Sequence, residues 1–125
     1  MPETVMIIDD NEVNRAMLRE LFATAGCNAA CFDHPDAALA ALGEAAPSAF
    51  VVDYHLPVMD GVTFAQKAVE ADARVAERTF VFFTGDTKVA ENADLTFLND
   101  AQIFLKPATL NTIKQAVLGR SHVDG

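Results

Sequence analysis

Short apolar runs alternate with stretches of helical spacing along the chain. Residues 5–8, Val-Met-Ile-Ile, predict a first strand. Residues 12–25 then carry Val13, Met17, Leu21 and Phe22 on one helical face, with Gly26 as the C-terminal stop. Residues 28–32 make a weaker second strand. Pro35 fits the first turn of a helix that turns Ala38, Leu39 and Leu42 inward and ends over 43–47. Residues 49–52 form a third strand, and 61–71 a helix with Val62, Phe64, Ala65, Ala68 and Val69 as its apolar set. Residues 79–83, rich in Phe and Val, are the fourth strand. Residues 88–98 predict a helix of poor pattern, weakened by Asn92 and Asp94. Residues 101–105 are the fifth strand, stopped by Pro107. Residues 110–118 are the last helix, with Ile113 and Val117 inward, and 120–125 trail off.

Five strands alternating with five helices predict an α/β fold, a doubly wound parallel sheet covered on both faces. The near-continuous apolar strands agree. Crossovers should be right-handed, and ligands in such open sheets bind beyond the carboxyl ends of the strands. A length of 125 residues predicts one domain over 1–125, with no repeat, low-complexity tract or linker.

Composition narrows the function. The formal net charge of −9 disfavours direct binding to nucleic acid, whose phosphates would be repelled. No apolar run reaches the roughly 18 residues of a membrane span. The start, Met1-Pro2-Glu3-Thr4, lacks a basic segment and an apolar core, so no signal peptide is expected and a cytoplasmic location is the default. Cys27 and Cys31 lie four apart in an extended segment. Their Cα atoms would then sit about 13 Å apart, beyond the ~7 Å limit for a disulfide. With no zinc-like spacing, they read as small packed thiols rather than as metal ligands with His34.

The strand ends carry the chemistry. Asp9 and Asp10 follow the first strand, Asp53 the third, Thr84-Gly85-Asp86 the fourth and Lys106 the fifth. Each has a simpler reading alone: Asp9, Asp10 and Asn11 as helix caps, Thr84-Gly85-Asp86 as a capped turn, Lys106 as a solvated cation, Asp53 as a turn residue. Their coincidence on one sheet edge favours a shared site. A pair of carboxylates about 4 Å apart costs about 4 kcal/mol at an effective dielectric near 20. Such a cluster holds a proton or a cation, and all-oxygen donors select Mg²⁺, or Mn²⁺, over zinc. A lysine and a hydroxyl opposite it complete a phosphoryl-binding set, for which positioning and charge neutralisation suffice. Asp53, central among the strands, is the candidate covalent nucleophile.

The set Ile7-Ile8-Asp9-Asp10-Asn11, Val52-Asp53-Tyr54-His55-Leu56-Pro57-Val58-Met59-Asp60-Gly61, Thr84-Gly85 and Leu105-Lys106-Pro107 resembles the receiver domains of two-component response regulators, over about residues 4–118. The resemblance implies a flavodoxin-like (βα)5 fold of strand order 2-1-3-4-5. It implies Asp53 as phosphoacceptor from a histidine kinase or histidine phosphotransfer protein. It implies Mg²⁺ held by Asp10, Asp53 and the backbone carbonyl of His55, with Asp9 acting through water. Lys106 would pair with Asp53, then with the phosphoryl group, and Thr84 would turn its hydroxyl onto that group. The run 9–15 is similar to receivers of hybrid kinases and phosphorelays, whose first helix often docks the donor; Asn14, Arg15 and Leu18 are thus candidate partner contacts, with core as the other reading of Leu18.

One departure stands out. Many receivers place Tyr or Phe three residues before the lysine; here that position is Ile103. Phe104, one residue on, faces the other side of its strand and reads as core. Output would then rest on the loop and helix after Thr84, on the face formed with the fifth strand and last helix. His55 and Asp86, each two residues beyond a site residue, are candidates for tuning autodephosphorylation, or else point to solvent. The expected protein is a signalling module, not an enzyme acting on a separate metabolite, with an unspecified downstream protein. It would stand alone or form part of a longer chain. A pseudo-receiver that only binds partners is the alternative. A haloacid-dehalogenase-type phosphatase is disfavoured because that class wants an Asp-x-Asp nucleophile motif, while Asp53 is followed by Tyr54-His55.

Overall fold

The computed structural model describes residues 3–106 and 110–121. Strands β1 (Thr4–Ile8), β2 (Asn28–Phe32), β3 (Ala49–Asp53), β4 (Thr79–Thr84) and β5 (Asp100–Leu105) form one sheet. Helices α1 (Glu12–Thr24), α2 (Pro35–Ala40), α3 (Leu42–Ala45), α4 (Gly61–Ala71), α5 (Thr87–Asn92) and α6 (Leu110–Ser121) connect and cover it, with a 3-10 turn at Ala73–Glu77. All pairings are parallel and the order is β2-β1-β3-β4-β5, as expected.

Strand alternation divides the core in two. Met6, Ile8, Phe50, Val52, Phe80 and Phe82 face α2, α3 and α4, where Phe50 stacks on Phe80 with ring centroids 4.3 Å apart. Val5, Ile7, Val51, Val81 and Phe83 face α1 and α6 through Leu18, Phe22, Ile113 and Val117. Ile103 packs on the first side and Phe104 on the second, as the one-residue shift requires.

Several readings are corrected. On α1, Val13 and Met17 are exposed, at 65% and 46%, while Leu18 and Phe22 are buried. Leu18 is therefore core and is not available as a partner contact. The expected helix over 88–98 is only α5. Ala93 leaves helical geometry at φ −62°, ψ 132°, and the Asp94 carboxylate accepts from the N–H and hydroxyl of Thr96 at 3.0 and 2.6 Å. Leu98 still anchors that segment in the core. The expected helix after Pro35 breaks at Ala41 into α2 and α3. The last helix runs three residues beyond its expected end, to Ser121. Cys27 precedes β2, and both cysteines are free thiols. Pro107 and the trailing residues 122–125 lie outside the described residues.

Candidate functional site

The ladders run past the strand ends and fix the backbone of the site. Asp9 N–H donates to the Phe32 carbonyl at 3.1 Å, and Tyr54 N–H to the Phe83 carbonyl at 2.9 Å. Lys106 N–H donates to the Thr84 carbonyl at 2.6 Å. Asp9, Asp53, Thr84 and Lys106 thus meet on one edge because sheet pairing places them there. One carboxylate oxygen from each of Asp9, Asp10 and Asp53 lies within 4.8 Å of the other two.

Asp53 is buried and doubly held. Its Oδ1 accepts from His55 N–H at 3.2 Å, and Lys106 Nζ reaches its Oδ2 at 3.2 Å. The ammonium also stands 5.2 Å from the centre of the Phe83 ring, a cation–π contact that holds the lysine at the edge. Asp9 is wholly buried. Its Oδ1 accepts from Asn11 N–H at 2.8 Å, while Oδ2 has no hydrogen-bond partner among the described residues. Burial pushes the Asp9 carboxyl above its ordinary value and the Asp53 charge adds to this, against the Asn11 N–H, Lys106 and Asn14. Asp10 is exposed at the mouth.

An orphaned buried carboxylate oxygen beside two further carboxylates is a deficit of positive charge. Lys106 supplies one cation against three acids. The donors are all oxygens, so the set fits a hard divalent ion. The cluster is the only group of three His, Cys, Asp or Glu side chains found so disposed among the described residues.

The other predicted residues have definite partners. Arg15 turns inward, its Nη1 donating to the Asp9 carbonyl at 2.8 Å, so Arg15 braces the site. Asn14 is half-buried on the same face, and its N–H is taken by the Asn11 side chain at 2.9 Å. The Asp86 carboxylate accepts from Lys88 and Val89 N–H at 2.9 and 3.4 Å. It caps α5 rather than pointing freely to solvent or towards Asp53. The Thr84 hydroxyl is fully buried, accepts from Asp86 N–H at 3.1 Å and lies 3.3 Å from His55 Nε2.

Sequence reading missed the bracing of the loop after Asp53. The Tyr54 hydroxyl donates to Asp60 Oδ2 at 3.1 Å, and Asp60 Oδ1 caps α4 through Thr63 N–H at 2.7 Å. Burial, then the Asp60 carboxylate, push the Tyr54 phenol above its ordinary value, so it remains a donor. Only the Asp-Gly signature of a helix start hinted at this; nothing in the spacing marks Tyr54 as its partner.

A family model described as the response regulator receiver domain matches residues 5–118. The response regulator receiver protein CpdR of Brucella abortus is 31% identical over 113 residues, covering 90% of this chain and 91% of CpdR. Among solved structures, chemotaxis protein CheY4 of Vibrio cholerae superposes with a TM-score of 0.83 at 20% identity, over 96% of this chain and 98% of that one. A CheX–CheY–BeF3–Mg complex from Borrelia burgdorferi gives a TM-score of 0.78 at 19% identity, over 97% and 90% of the two chains. Both structures share the fold.

Proposed function

The chain belongs to the response regulator receiver domain family, and from that premise we propose that it is a signalling module phosphorylated on Asp53. The observation that carries the reading is the Lys106–Asp53 pair at 3.2 Å set against the three-carboxylate cluster. One buried oxyanion is presented with a cation beside it, where a second anion could be received.

The donor is a phosphohistidine of a histidine kinase or phosphotransfer protein. An Asp53 oxygen forms the new bond to phosphorus, and the bond from phosphorus to the histidine nitrogen breaks, leaving that electron pair on the imidazole. Hydrolysis reverses the state: water attacks phosphorus, the bond to Asp53 breaks, and the carboxylate and inorganic phosphate are restored. Asp10, Asp53 and the His55 carbonyl would hold Mg²⁺, with Asp9 acting through water, and the ion would supply charge neutralisation at the phosphoryl oxygens. The residues of this chain do the rest. Lys106 moves its charge from the carboxylate to a phosphoryl oxygen, and Thr84 offers its hydroxyl. His55 N–H holds the Asp53 carboxylate in line. The chemistry acts on the protein's own aspartate, and the state of Asp53 is passed to a downstream protein. Asp86 commits Oδ1 to the cap of α5, and His55, 3.3 Å from the Thr84 hydroxyl, is the better placed of the two to tune the phosphoryl lifetime. The BeF3 and Mg of the Borrelia burgdorferi complex accord with this chemistry in a protein of the same fold.

The test is incubation with acetyl phosphate and Mg²⁺ followed by intact mass. One added phosphoryl group is expected, absent in Asp53→Asn and absent with chelator. A wild-type protein that gains no adduct and fails to bind beryllofluoride overturns the reading.

A further inference from the structure

The hydroxyl of Thr84 already has partners. A threonine hydroxyl has one proton to give and two lone pairs. One lone pair takes Asp86 N–H at 3.1 Å. The contact with His55 Nε2 at 3.3 Å uses the hydroxyl proton or the other lone pair, according to the tautomer of the ring. Where the hydroxyl is the donor, turning its proton towards Asp53 breaks that contact; in either tautomer, moving Oγ1 itself onto a phosphoryl oxygen breaks it.

The ring is itself anchored. His55 N–H donates to Asp53 Oδ1, its backbone bridges to Asp60, and the Tyr54 ring meets the imidazole edge-on with centroids 5.0 Å apart. Tyr54 in turn bonds Asp60, the cap of α4. A continuous set of contacts therefore links Thr84, His55, Tyr54 and Asp60 to the start of α4. Ile103, the position where an aromatic would follow the threonine, is an aliphatic packed on the core face.

We infer that His55 is a positioning residue for Thr84, holding its hydroxyl in the unphosphorylated state. Exchange of the imidazole for a phosphoryl oxygen then reports the state of Asp53 into residues 54–60 and the N-terminus of α4. The inference rests on Asp53 as phosphoacceptor, and it gives this chain an outlet that does not need an aromatic at Ile103.

Two measurements test it. The first uses unphosphorylated protein without divalent ions, at fixed pH, and reads the imidazole ¹⁵N resonances. Thr84→Val should move the His55 Nε2 signal, while Thr84→Ser should leave it near wild type. An unmoved signal in Thr84→Val overturns the contact. The second titrates beryllofluoride in Mg²⁺ and follows amide resonances. His55→Ala should lower the half-saturating concentration about five-fold, the scale of one lost neutral hydrogen bond, and His55→Gln should restore it. In a Thr84→Val background the effect of His55→Ala should vanish. The same factor in both backgrounds overturns the inference while leaving the phosphoacceptor reading intact. Wild type that never saturates overturns both.

Discussion

Asp9 is wholly buried, yet one of its oxygens has no partner among the described residues. A group in that position works against the fold until a cation arrives. Its carboxyl is raised above the ordinary 3.8, first by burial and then by the Asp53 charge. Below pH 3.8 the group is protonated whether the chain is folded or not, and its favourable contribution is fully present. As pH rises through the raised value the native state must ionise a buried acid, and that contribution is lost. Asp9→Asn should therefore stabilise the metal-free protein at pH 7 by about 1–2 kcal/mol, with the gain shrinking at mildly acidic pH. Urea unfolding in chelator at two pH values checks this; a variant less stable than wild type at pH 7 would contradict it. Val58 is a second strained position, a β-branched residue at φ 63° and 76% exposed. The left-handed region costs a non-glycine residue about 1–2 kcal/mol, and asparagine tolerates it best. Val58→Asn should raise the unfolding free energy by about 1 kcal/mol, measured in the same way.

Among the elements, the start of α4 sets the position of Asp53. A Cβ on Gly61 would lie 2.8 Å from the Asp53 carbonyl oxygen, 3.0 Å from Val52 Cγ1 and 3.2 Å from Tyr54 Cα. Two of these are backbone atoms and cannot turn away. Gly61→Ala should cost about 2–3 kcal/mol and slow phosphorylation by acetyl phosphate, because α4 can move only by pushing β3. Wild-type stability in that variant would show that the approach is looser than it looks. The strands were legible because β3 and β4 are buried on both faces and read as unbroken apolar runs. The site was legible for a related reason: Asp9, Asp53, Thr84 and Lys106 are each the first polar residue after an apolar run, and Asp10 directly follows Asp9. The inward face of α1 was not. Apolar residues at 13, 17, 18, 21 and 22 allow two overlapping stripes, and spacing alone does not choose between them. Packing of α1 on β1 and β2, with Leu18 and Phe22 in the core, decides it, and Arg15 then turns inward to Asp9. The end of α5 was missed because an aspartate turn at Asp94 competes with the helix, and Leu98 supplies an apolar position that imitates its continuation.

For the molecule as a whole, a formal charge of −9 means that any added salt relieves self-repulsion, so stabilisation by Mg²⁺ proves nothing unless it is separated from screening. The cluster supplies the separation. An ion that binds only the native state stabilises by about 2.7 kcal/mol at a hundred times its dissociation constant, and the gain per decade of concentration has a fixed slope. Screening instead depends on ionic strength and on no particular carboxylate. At constant ionic strength, held with NaCl, Mg²⁺ should still raise the melting temperature of the wild type. Asp10→Asn should abolish that increment while leaving the response to NaCl alone unchanged, since Asp10 is exposed at the mouth and its loss removes a ligand without disturbing the core. Asp9→Asn should also lose the increment, but from a higher metal-free baseline, because there the cation no longer relieves a buried acid. An Mg²⁺ response that survives Asp10→Asn would place the ion elsewhere on the acidic surface and leave the three carboxylates as a strained cluster without a metal.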